Sequence, residues 1–260
     1  MSVSRYSQPS AEPSRVARWT KSIADVLTVL LVVIAAKTAI AEPYYVPSGS
    51  MEPTLEIGDE LIATKYPYGY SSSSLPTFVT LPDTQRIFGA LPRRGDVVVF
   101  RWPGDRSQIW VKRVVALPGD RVSMRDGQLW INGVPIGLKA DGLGQMETEN
   151  GSHQTVARFT ETLPGGRQHT IFKSNEFDPL DDTPETVVPP GNLFVMGDNR
   201  DNSADSRVAV SAGGVGFLPV GDLVGRVDAL VGSWDLAAKN KPVWEWPSGF
   251  RPSRFFTAVR

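Results

Sequence analysis

The chain has 260 residues, 41% of them apolar, with a formal net charge of −1, no cysteine and two histidines. That length suits one domain, or one domain with an insert. The near-neutral charge gives no electrostatic footprint for nucleic acid, and the lack of cysteine excludes disulfides, zinc–thiolate sites and cysteine nucleophiles.

Residues 1–22 read as a polar tail, rich in Ser, Pro and Arg and disordered in character over 1–18. From Ile23 to Ile40 the sequence is nearly all apolar. This approaches the roughly 20 residues that a bilayer-spanning helix needs, so one transmembrane helix is expected over 23–41. Lys37 can snorkel to the interface, and Trp19, Tyr44 and Tyr45 suit the aromatic belts. Arg5, Arg15, Arg18 and Lys21 precede the run, and no basic residue follows Lys37 until Lys65. The positive-inside rule then puts the N-terminus in the cytoplasm and the rest of the chain outside. A cleaved secretory signal ending at Ala39-Ile40-Ala41 fits the same run. Both readings place the remainder beyond the cytoplasmic membrane.

After residue 45 the pattern turns to strands. Asp96–Phe100, Ile109–Leu117, Leu193–Met196 and Leu223–Val231 are short apolar runs. Asp126-Gly127, between Arg121–Arg125 and Gln128–Ile131, is a strong hairpin signal, and Asn132-Gly133 marks another turn. Tyr68–Ser74 reads as a flexible loop. With 24 Gly and 21 Pro, the expectation is a mostly β protein: an antiparallel, barrel-like body formed by 42–136 and 188–260. Residues 137–187 are polar and read as a β-hairpin-rich insert, with Thr155–Leu163 and Arg167–Phe172 flanking a turn at Pro164-Gly165-Gly166. His153 and His169 both fall in this stretch. A Ser-His-Asp triad needs a histidine packed in a cleft, so any hydrolytic chemistry is expected to use another base.

Three segments carry candidate chemistry. Pro47-Ser48-Gly49-Ser50-Met51-Glu52-Pro53-Thr54-Leu55 surrounds a serine with small residues that let a substrate backbone approach, although an ordinary Ser/Gly/Pro loop reads the same way. In Ile109–Val115, strand alternation puts Lys112 on one face with Trp110 and Val114, and Arg113 on the other with Val111 and Val115. Apolar neighbours lower a lysine pKa, which would let the amine act as a base; the alternative is a strand-edge lysine snorkelling to water. Met196–Arg207 is dense in short polar groups. Asp205 and Arg207 can pair there, and Asp198, Asn199, Asp201 and Asn202 also resemble calcium ligands, without the spacing of an EF-hand loop.

Together with Arg94–Phe100, Val111–Asp120 and Val188–Arg207, the serine segment resembles the ordered boxes of the bacterial type I signal peptidases over roughly residues 43–231. The resemblance implies Ser50 as nucleophile and Lys112 as general base. It also implies Ser48 in the oxyanion hole, Ser203 orienting the amine, and Asp205 with Arg207 as a supporting ion pair. It further implies secretory preproteins with an A-x-A cleavage site as substrates, no metal or organic cofactor, and a single-pass anchor in the inner membrane with the catalytic body periplasmic. Another Ser-Lys peptidase, or an inert membrane-tethered peptide-binding β module, remain the alternatives.

Overall fold

The structure, a computed structural model, describes residues 15–74, 86–148, 152–175, 177–235, 238 and 242–259, without the side chains of 15–18 and 34–39. It divides into two compact units, Met1–Lys37 and Thr38–Arg260.

Helix α1 spans Arg15–Ala39. The expected span over 23–41 falls almost wholly within this helix. The helix starts earlier, so residues 15–22 of the expected tail are helical; residues 1–14 lie outside the described part. Among the described residues, moreover, no helix is long and apolar enough to cross a membrane. Lys21, Ser22, Asp25 and Thr28 interrupt the apolar surface, and the Thr28 hydroxyl bonds back to the Ala24 carbonyl at 2.8 Å.

In the second unit, β1 (Ala41–Tyr45), β2 (Asp59–Thr64), β3 (Val97–Trp102) and β4 (Asp105–Ala116) are followed by β5 (Arg121–Arg125), β6 (Gln128–Ile131) and β7 (Val134–Pro135). Strands β8 (Gly137–Glu147), β9 (His153–Thr162), β10 (Gln168–Lys173) and β11 (Thr183–Val187) come next, then β12 (Asn192–Met196), β13 (Leu218–Pro219) and β14 (Leu223–Ser233). They form a seven-stranded sheet of order β1-β2-β14-β3-β4-β12-β13, a four-stranded sheet β11-β5-β6-β7 and a three-stranded sheet β10-β9-β8. The expected antiparallel pairing is present, but among the described residues no barrel closes: the large sheet is open, with β1 and β13 at its edges. Each edge strand contains a proline, Pro43 or Pro219, a residue without the N–H that a further ladder would use.

Strand β3 explains the apolar run. Val97 and Val99 pack with Met51, Leu55, Leu61 and Val227, while Val98 and Phe100 pack on the other face with Val114, Leu193 and Val195. Both faces are buried, so the strand is apolar throughout; each such side chain contributes roughly 1.5–3 kcal/mol of burial. The two short hairpins follow from φ of 49° and 71° at Asp126 and Gly127, and of 54° and 77° at Asn132 and Gly133. Both pairs sit in the left-handed region that a type I′ turn requires.

The sequence expectation of a flexible Tyr68–Ser74 loop is also corrected. Ser73 and Ser74 are buried, and Lys65 Nζ donates to the Ser74 carbonyl at 2.7 Å. Strands β8–β10 are the expected insert hairpins, and β11 joins β5. The insert reaches the body through β10, where the Phe172 N–H donates to the Asp198 carbonyl at 2.9 Å.

Candidate active site

Ser50 lies in a short 3₁₀ turn, Gly49–Met51, entered through an extended Ser48. Met51 is fully buried among the apolar side chains below the turn and anchors it. From the other side the loop after β12 grips the turn: the Asn199 N–H donates to the Ser50 carbonyl at 3.2 Å, and Asn199 Nδ2 donates to the Gly49 carbonyl at 3.0 Å.

Lys112 extends from the buried half of β4, and its Nζ is 2.7 Å from Ser50 Oγ and 3.1 Å from the Val111 carbonyl oxygen. The Trp110 ring centroid is 5.8 Å from the nitrogen. Burial lowers the amine to about 8, although the Asp205 and Asp198 charges pull it back up. An uncharged amine has two N–H groups and one lone pair. One N–H can stay with Val111 while the lone pair takes the proton of Ser50.

Ser48 Oγ is 3.5 Å from Ser50 Oγ. Ser203 is buried, and its Oγ makes no hydrogen bond among the described residues, to Lys112 or to any other group. It packs on Gly197, where any side chain would collide with Ser203 and with the Ser50 carbonyl. Asp205 and Arg207 form a buried ion pair at 2.9 Å. Asp205 also accepts the Gly197 N–H at 3.0 Å, so the pair fixes the backbone on which Ser203 rests. The Arg207 charge holds the Asp205 carboxyl below its usual range against the opposing effect of burial. Of the six residues singled out in the sequence, Ser48, Ser50 and Lys112 line one cleft of about 360 Å³, whose walls also include Tyr44, Leu61, Val99, Trp110 and Ala204; Ser203, Asp205 and Arg207 are not in its lining, although they flank Ala204 in sequence.

Some parts of this surround were missed. Asp198, weighed above as a calcium ligand, is committed to Arg113, with Nε and Nη2 donating to its two carboxylate oxygens at 2.8 and 2.7 Å. Thr54 also donates to it. The signal was available: an arginine placed among valines on an interior strand face requires a buried acid. His169 is not solvated, as the polar composition of its stretch suggested, but buried. Its Nε2 is 3.3 Å from Glu161, which also pairs with Arg200 at 2.6 Å, because this face of β9 and β10 packs on the loop after β12.

A serine hydroxyl within hydrogen-bond reach of a lysine amine whose pKa burial lowers is an arrangement suited to nucleophilic hydrolysis. A family model described as signal peptidase, peptidase S26, matches residues 17–234. The signal peptidase I of Rickettsia typhi is 35% identical over 249 residues, 88% of this chain and 89% of its own. That of Rickettsia canadensis is 35% identical over 255 residues, 91% of each. Among solved structures, a signal peptidase I from Enterococcus faecalis is 25% identical with a TM-score of 0.30, covering 53% of this chain and 97% of that one. The chain belongs to the signal peptidase family, peptidase S26, and is an enzyme, a serine hydrolase.

Proposed function

We propose that this enzyme removes N-terminal signal peptides from secretory preproteins, with Ser50 as nucleophile, Lys112 as general base and an acyl-enzyme intermediate. The observation that carries the reading is the 2.7 Å approach of Lys112 Nζ to Ser50 Oγ under burial that favours the neutral amine.

The preprotein lies as an extended strand in the cleft, its small residues of the A-x-A site fitting between Tyr44, Leu61, Val99 and Trp110. Lys112 takes the Ser50 proton as Oγ attacks the scissile carbonyl carbon. The oxyanion accepts from the Ser50 N–H and the Ser48 hydroxyl, donors worth about 3 kcal/mol each in comparable sites. The protonated amine then gives its proton to the leaving nitrogen, and the mature protein departs. Water, deprotonated by Lys112, attacks the acyl-enzyme and releases the signal peptide. Ser203, whose hydroxyl has no other partner among the described residues, orients the amine, and the Asp205–Arg207 pair braces the loop carrying it. These steps call on no metal or organic cofactor.

The reading places the enzyme at the inner membrane, with its N-terminus cytoplasmic and its body periplasmic. Val26, Leu27, Leu30 and Leu31 on α1 are exposed, and lipid is the solvent that would cover them. A substrate held in the same bilayer gains effective concentration.

The test is incubation of the full chain in lipid vesicles with a labelled preprotein bearing an A-x-A site. The native chain is expected to release the signal peptide. Ser50→Ala and Lys112→Met are each expected to lower the rate by about 10³-fold or more without loss of the folded state by circular dichroism. A Lys112→Met rate within tenfold of native would remove lysine from the base role.

A further inference from the structure

Glu52 is a buried carboxyl beside the Ser50 turn that the mechanism above does not use. Its carboxyl group lies flat against Gly49: a Cβ built on Gly49 would meet Glu52 Cδ at 3.1 Å and Oε1 at 3.2 Å. Its Oε2 accepts the N–H of Glu147, at the end of insert strand β8, at 3.2 Å. Its own N–H donates to the Gly49 carbonyl at 3.1 Å, the same oxygen that Asn199 Nδ2 holds. One side chain thus touches both the residue before Ser50 and the insert.

Resting on the reading of Ser50 as nucleophile, we propose that the Glu52 carboxyl is a positioning group. It ties the Ser50 turn to the insert through Gly49 and Glu147, and holds that turn best when uncharged. The charged groups facing it are Glu147 from β8, Glu56 from the loop before β2, and Arg251 and Arg254 from the C-terminal tail. Both arginines are already bound to Glu56, each at 2.7 Å, and among the described residues no cation forms an ion pair with Glu52. Burial, assisted by Glu147 and Glu56, pushes this carboxyl up to about 7, against the Glu147 N–H and Arg251, which pull it down. A carboxyl raised by folding contributes its stability fully below its unfolded value near 4.5, and loses it as the pH rises through about 7.

The decisive comparison is Glu52→Gln, which stays neutral at every pH and keeps an oxygen for the Glu147 N–H, beside Glu52→Ala. Both are made in the full chain and assayed from pH 5.5 to 8.5 for preprotein cleavage and for Tm. Glu52→Ala is expected to lose about tenfold in kcat with KM within twofold, and Glu52→Gln to match native at pH 6. The Gln-to-native ratio of kcat is expected to rise at least about threefold by pH 8.5, and the Tm of native to fall relative to Gln over the same interval. A merely space-filling residue would give native and Gln parallel curves. Parallel curves of native and Gln in both readouts would overturn the proposal, whatever Glu52→Ala does. If Glu52→Ala does not fold, the Gln comparison still decides. The Tm readout does not depend on cleavage, so failure of the native chain to cut preprotein would sink the assignment of activity while leaving this tie separately decided.

Discussion

Arg113 and Asp198 meet in a two-pronged ion pair with almost no solvent exposure on either side chain, next in sequence to Lys112 on one strand and to Asn199 on the facing loop. The pair joins the strand that carries the amine to the loop that holds the Ser50 turn. Its geometry is completed by Arg113 Nη1 donating to the Gly95 carbonyl at 2.7 Å.

Removing one partner of such a pair leaves an uncompensated buried charge, at a cost of about 3–5 kcal/mol. Asp198→Asn is therefore expected to lower the Tm by roughly 10 °C, since 1 kcal/mol corresponds to about 2–4 °C in a body of this size. The double variant Arg113→Met with Asp198→Leu should recover more than half of that loss while remaining impaired in cleavage. Thermal melts followed by circular dichroism read both effects. A single variant melting within 2 °C of native would show that the pair does not brace the site.

Gly197 separates Ser203 from the Ser50 backbone. A methyl group there would sit 2.5 Å from the Ser50 carbonyl oxygen and 2.5 Å from Ser203 Cβ, closer than real Cβ contacts allow. Neither neighbour can retreat freely, because Asn199 holds the Ser50 carbonyl and Ser203 is packed in the interior. Displacement of a reacting atom by about 1 Å costs on the order of 10²-fold in rate. Gly197→Ala should accordingly lower kcat by about that factor, with a much smaller change in KM. Steady-state cleavage kinetics would reveal it, and a kcat within twofold of native would mean that the loop adjusts without cost.

The local architecture was largely readable from residue types. Asp126-Gly127 and Asn132-Gly133 specified their turns because few other pairs adopt positive φ twice in succession, and the apolar β3 and β4 runs announced interior strands. The position of Lys112 beside Trp110 followed from strand alternation alone. Long-range pairing was not readable. Nothing local links Arg113 to Asp198, Glu52 to Glu147 or His169 to Glu161, since each contact is created by the crossing of distant segments. The polar composition around His169 concealed its burial, because Glu161 beside it is paired with Arg200 rather than with water. Closure of the large sheet also depends on the whole topology, and short edge strands such as β13 gave too little sequence pattern to show that it stays open.

The central claim is that Lys112 works as an uncharged amine, and the pH dependence of kcat/KM for preprotein cleavage tests it most directly. Burial holds this lysine near 8 rather than at its ordinary 10.5, so the working base is the form that gains population as the proton leaves. The account predicts that kcat/KM of the Glu52→Gln chain, in which that carboxyl cannot ionise, climbs about tenfold per pH unit below pH 7, bends near pH 8 and levels off above it. The native chain is expected to bend at the same pH but to fall below the Glu52→Gln chain on the alkaline side. A Glu52→Gln profile that is flat from pH 5 to 9, or one that keeps rising without a bend until pH 10, would contradict it.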